Sequence, residues 1–279
     1  MSGSGTRRSL ERLNRECIRL CKQEKWLGQA SDKPNFSLLY SSVASYEAGN
    51  GIAILGINPA GGRDVADTYD RRRPFRESGY SAYLDDEWTD RDTGEVQGVG
   101  QDSLQREVQA LAMVLCGEGP ANAATAKDNL NAEPEERIGP QATALLRNAP
   151  SGNISPFRGS AQDAMPKRLV AAGQGIGWEL LCSAKPRLRA IVTLANSVQD
   201  VPWRTILLNS NQRLKADYEQ PLSRGRTYRE VTLVKGPLKD TLIIGLPAVV
   251  RHRGTSKKLS QAIFRELATR VDYHGLAVS

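Results

Sequence analysis

The 279-residue chain is 39% hydrophobic and 25% charged, the proportions of an ordinary globular protein, which excludes fibrous and intrinsically disordered classes. Thirty-eight Lys and Arg against 31 Asp and Glu give a net charge of +7 and a pI near 9.3, a balance that suits a polyanionic partner. No apolar run approaches the roughly 18 residues that cross a bilayer, Met1–Arg8 is polar, and Cys17, Cys21, Cys116 and Cys182 are too few and scattered for a disulfide framework, so a cytoplasmic protein without membrane association is expected.

In chain order, Leu10, Leu13, Cys17, Ile18, Leu20, Cys21 and Leu27 recur at helical spacing behind Ser9 and predict an amphipathic helix over 9–27. The continuous apolar run Ile52–Leu55 with Ile57 predicts a buried strand that opens into Asn58-Pro59-Ala60-Gly61-Gly62. From Arg63 to Gly98 the chain is polar, dotted with aromatic residues and without clear period. A helix over 103–116 follows, and the stretch 117–140, rich in Ala, Asn, Glu and Gly, reads as a long surface loop.

The second half alternates strand and helix: strand 143–147, helix 164–183, strand 190–194, short helix 202–208, strands 231–234 and 241–246, and a closing helix 256–271. Alternation of this kind means a mostly parallel sheet with helices on both faces, and such sheets bind ligands beyond the carboxyl ends of their strands. Three loops qualify, after the strands expected to end near Ile57, Arg147 and Leu246. The whole chain, 1–279, reads as one domain carrying a variable insertion at about 63–140.

Each loop holds an unusual cluster. Gly56-Ile57-Asn58-Pro59-Ala60-Gly61-Gly62 resembles the Gly-x-Asn-Pro-Gly motif of the mismatch-specific and single-strand-selective branches of the uracil-DNA glycosylase superfamily. Gly152-Asn153-Ile154-Ser155-Pro156-Phe157-Arg158 is similar to the family segment in which an Asn reads a pyrimidine edge. The stretch Ile243–Gly254 stands where the family has a strand followed by Pro-His, although Ala248 occupies the His position and His252 lies four residues later.

The resemblance implies an α/β three-layer sandwich around a mostly parallel four- to five-stranded sheet of the uracil-DNA glycosylase type. It also implies an enzyme that flips a nucleotide from DNA and hydrolyses its N-glycosidic bond, leaving an abasic site. Asn58 inherits the positioning of the attacking water, and small residues around Pro59 let backbone approach the base. Asn153 inherits base reading, because one amide both donates and accepts and can match a uracil-like or a cytosine-like edge. His252 is expected to donate to the base O2 as negative charge builds there, with Arg251 or Arg253 as the alternative donor.

Gly56, Ile57, Pro59, Ala60, Gly61, Phe157 and Tyr83 complete the expected base pocket, the rings as stacking faces alongside Phe75 and Tyr80. Arg251, Arg253, Lys257 and Lys258 are expected to meet double-stranded DNA. No metal or other cofactor and no obligate protein partner are expected. Cys17 and Cys21, four apart on a helix, lack the loop spacing of an iron–sulfur cluster. Small residues at 60–62 leave room at C5 of the base, so a bulky modified cytosine such as the glucosylated hydroxymethylcytosine of phage DNA is the favoured substrate, in anti-phage defence. Removal of uracil or mismatched thymine in base-excision repair is the alternative. A DNA-binding module without catalysis is a third reading, raised by Ala248.

Overall fold

A computed structural model describes residues 3–28, 33–56, 70–89, 95–119, 123, 132–157, 165–184, 188–194, 201–222, 226–247 and 257–276. The strands are β1 (Ile52–Gly56), β2 (Ser151–Asn153), β3 (Ala190–Thr193), β4 (Tyr218–Pro221), β5 (Thr227–Thr232) and β6 (Leu242–Gly245). The helices are α1 (Gly3–Gln23), α2 (Val43–Ala48), α3 (Arg73–Arg76), α4 (Ala82–Asp85), α5 (Ser103–Leu115), α6 (Pro134–Asn148), α7 (Lys167–Cys182), α8 (Val201–Asn209) and α9 (Lys257–His274).

The strands form one sheet in the order β2-β1-β3-β6-β5-β4. β2, β1, β3 and β6 run parallel, while β5 and β4 are antiparallel additions at one edge. The sheet is therefore six-stranded and mixed, a correction to the expected four to five mostly parallel strands. β4 escaped the sequence reading because Tyr-Glu-Gln-Pro has no fully buried position, and its closing proline suits an edge strand.

Period-2 alternation sends successive residues of each strand to opposite faces. Ile52, Ile54, Ala190, Val192, Leu242 and Ile244 pack with Val108 and Leu111 of α5, Leu145 and Leu146 of α6, and Ile263 and Leu267 of α9. Ala53, Leu55, Ile191, Val231 and Ile243 pack with Leu181 of α7 and with Trp203, Ile206 and Leu207 of α8. Helices thus cover both faces, the layering expected. A third cluster joins Leu10, Leu13, Cys17 and Leu20 of α1 to Leu169, Ile176 and Leu180 of α7.

Two further expectations are corrected. Residues 143–147 are helical: Ile138, Ala142, Leu145 and Leu146 are buried at three- and four-residue spacing, and the strand begins four residues later at Ser151. The helix reaches back to Pro134, into the expected loop, and bends at Gly139, whose φ of 79° is easy only for glycine. Much of the stretch 63–140 is also built into the core. Asp102 and Gln105 close a capping box on α5. Gln105 donates to Ala82 O and Asp86 O, and Gln109 donates to Tyr83 O and Gly100 O, tying the 82–100 chain to that helix. Among the described residues no helix is long and apolar enough to cross a membrane.

Candidate functional site

The four parallel strands end along one edge of the sheet, and β1 and β2 are neighbours there with Gly56 opposite Asn153. Asn153 is only 2% exposed. A Cβ on Gly56 would stand 2.4 Å from Asn153 Oδ1, closer than real contacts allow, so the absence of a side chain at 56 is what lets the amide lie across the end of β1. Nδ2 of Asn153 is buried and has no hydrogen-bond partner among the described residues. An unpaired buried amide donor costs about 1–3 kcal/mol, a cost that native structures seldom carry without using the group.

The surroundings hold the backbone of β2 in place. On the outer side of β2, segment 36–41 runs antiparallel to it: Ser37 N donates to Pro156 O (2.7 Å), Tyr40 N to Ser151 O (2.8 Å), and Ser41 Oγ accepts from Ser151 N (2.9 Å). Beyond β2, Ile154 N donates to Gly56 O (3.0 Å). α7 presses on the same exit through glycines. A Cβ on Gly177 would lie 2.1 Å from Ile154 O, and one on Gly173 2.7 Å from Ser155 Oγ. These positions were missed in the sequence reading, although Gly173, Gly175 and Gly177 inside a helical pattern are the visible signal of a close approach.

The strand bearing the third expected loop, β6, is separated from β1 by β3 alone. Its last residues stay in register, Leu246 N donating to Thr193 O at 3.0 Å. Two strand spacings place the ends of β1 and β6 about 10 Å apart, with β3 between them. Arg71 anchors the chain that leads into α3. Its Nε donates to Phe36 O (3.0 Å) and a terminal nitrogen to Pro34 O (2.5 Å), with the guanidinium over the Phe36 ring. Phe36 itself bridges to Phe157, so Gly56 and Arg71, on either side of residues 57–69, are both fastened beside β2.

Ile57, Asn58, Pro59, Ala60, Gly61, Arg251, His252 and Arg253 lie outside the described residues. Lys257 and Lys258 open α9. Gly56 and Asn153 are brought together. Phe157 and Tyr83 are placed differently from expectation: both are fully buried, Phe157 against α7 and Tyr83 edge-on to Tyr40 (5.7 Å, 87°) and beside Trp88. Neither ring offers a free face, so both belong to the packing and the stacking role expected of them is corrected. Tyr80 is buried likewise, its hydroxyl donating to Asp86 at 2.6 Å.

His274 ends α9 and hydrogen-bonds Glu230 at 2.8 Å. Glu230 is 2% exposed and also accepts from Arg270 and from Tyr228 Oη (2.7 Å). Burial pushes its carboxyl up, but the bonds from Arg270, His274 and Tyr228 outweigh this and hold it below its ordinary 4.5. The cluster ties β5 to α9 and is structural. The cysteines are spread over three hydrophobic clusters, and burial pushes the Cys21 thiol up to about 12 and those of Cys116 and Cys182 to about 11, so these three are protonated near neutrality.

Comparison of the chain with protein-family models, with curated proteins and with solved structures finds no match.

Proposed function

We propose that the chain is a monofunctional DNA glycosylase of the uracil-DNA glycosylase superfamily. It flips a pyrimidine nucleotide out of double-stranded DNA and hydrolyses the N-glycosidic bond, leaving an abasic site. The observation that carries this reading is the buried amide of Asn153, unpaired at Nδ2 and set beside Gly56 where β1 gives way to the Asn58-Pro59 segment. A buried amide short of a partner is suited to reading a base edge. Its unmet hydrogen bond in the free protein is made to the base, and an analogue without the matching atom leaves it unmade.

In this reading Asn58 orients water for attack at C1′, Asn153 reads the base, and His252 donates to O2 as the anionic base departs. The net charge of +7 favours the polyanionic substrate. The small residues Ala60, Gly61 and Gly62 leave room at C5, and on that ground the favoured substrate is a bulky modified cytosine such as glucosylated hydroxymethylcytosine in phage DNA, removed in anti-phage defence.

The test incubates purified protein with phage DNA containing glucosylated hydroxymethylcytosine and, separately, with uracil-containing DNA, and identifies released bases by mass spectrometry. Release of the glucosylated base that is lost in Asn153→Ala supports the proposal. Release of uracil alone makes the enzyme a repair glycosylase. Release of neither, by folded protein that binds the DNA, overturns catalysis and leaves a binding module.

A further inference from the structure

The N-terminal turns of α5 and α6 carry a second group of polar atoms unused by the proposed chemistry. Arg137 is 6% exposed, and its Nε and one terminal nitrogen are buried without a hydrogen-bond partner among the described residues. Nε of Arg106, in the first turn of α5 and one turn before Gln109, is in the same condition. Burial first and Arg106 second push the Arg137 guanidinium below its ordinary range, against an attraction to the exposed Glu133.

Gly100 completes the wall. Its φ of +67° favours glycine, and a Cβ there would meet Arg137 Nη2 at 2.9 Å and Gln109 Nε2 at 3.1 Å. Gln109 cannot turn its amide to serve the arginine, because Nε2 already donates to Tyr83 O (2.7 Å) and Gly100 O (2.9 Å). Its Oε1 remains a further buried atom without a partner.

A guanidinium stays charged at any physiological pH, so burying one without an anion is expensive, and burying it beside a second is more so. We infer that Arg137 and Arg106 form a binding site for a single small oxyanion of the phosphate class, bordered by Gly100 and Gln109. The forked donors of arginine match two oxygens of such an anion; a free phosphate dianion neutralises both side chains and a phosphodiester monoanion one of them. The phosphate is either a free ion or a phosphodiester of bound nucleic acid, and the two sources are separable.

The experiment follows thermal unfolding of the full chain while inorganic phosphate is titrated at ionic strength held constant with sodium chloride, with calorimetric titration as a direct readout. Wild type is expected to gain Tm saturably, as a ligand of the folded state requires. Arg137→Met is expected to weaken phosphate binding roughly tenfold or more, Arg106→Met less, and Arg137→Met should be as stable as wild type or more so in phosphate-free buffer. A saturable response to phosphate but not to thymidylyl-thymidine identifies a free anion, and a response to both identifies a site within reach of a phosphodiester. No saturable response in wild type, or an unchanged one in Arg137→Met, overturns the site. Should Arg137→Met fail to fold, a response to phosphate in Arg106→Met unchanged from wild type does the same.

Discussion

Replacing Gly56 by alanine puts a methyl carbon 2.4 Å from Asn153 Oδ1, while the next atoms it meets, Asn153 Cγ at 3.6 Å and Gly152 O at 3.8 Å, are at ordinary contact distance. The backbone at 56 lies outside the left-handed region, so the cost is steric and falls almost wholly on the Asn153 amide. Forcing that amide aside in a filled site costs about 1–3 kcal/mol. In an Asn153→Ala background the clashing oxygen is gone, and the same substitution becomes neutral or gains about 0.4–1 kcal/mol by restricting the unfolded chain. Urea denaturation of wild type, both single variants and the double variant should therefore give a coupling of about 1–4 kcal/mol between the two positions. In the base-release assay Gly56→Ala should lose roughly ten- to a hundredfold, because the displaced amide no longer meets the base edge. An equal stability cost of Gly56→Ala in both backgrounds, or unchanged base release by folded Gly56→Ala, would refute the link between the glycine and the amide.

Asn58→Ala and His252→Ala should each lower base release by roughly a hundred- to a thousandfold while keeping the wild-type denaturation curve, and full activity in either folded variant removes that residue from the mechanism. Glu230→Gln should cost about 3 kcal/mol near neutral pH by leaving Arg270 in a largely buried pair without its carboxylate. Because the folded carboxyl sits below 4.5, its contribution is fully present above that value and is lost as pH falls through the lower folded value, so the gap between wild type and variant in chemical denaturation should close in acid and not in base. Gly177→Ala should destabilise by more than about 3 kcal/mol, since its methyl meets backbone atoms of Ile154 at 2.1–2.6 Å that no side-chain rotation relieves; a loss within error in thermal unfolding would mean that α7 can lift off β2. Asp102→Ala should cost about 1 kcal/mol by opening the α5 cap.

Ile52–Leu55 and Ala190–Leu194 were legible as strands because a parallel strand buried on both faces must be continuously apolar, and α1, α5, α7 and α9 because one apolar stripe recurs at helical spacing. From these the layering followed, with ligand loops at the carboxyl edge. Thr143–Arg147 misled because five residues sample too little of the helical period, and Pro140, placed at the end of the expected loop, starts a new helical segment after the bend at Gly139. β2 is three residues of Ser, Gly and Asn, a composition that signals a turn, and becomes a strand only because β1 on one side and segment 36–41 on the other supply its hydrogen bonds.

The sequence by itself determined the layered α/β class, the basic character and the identity of Asn153 as a residue worth following, since periodicity, charge and local motif are properties of neighbours along the chain. Tertiary structure alone decided that Gly56 stands beside Asn153, that Phe157 and Tyr83 fill the core, and that Arg137 is buried with two nitrogens unpaired against Gly100. Each of these joins residues far apart in the chain, and whether an amide, a ring or a guanidinium ends up solvated, packed or unpaired depends on which distant segment closes over it.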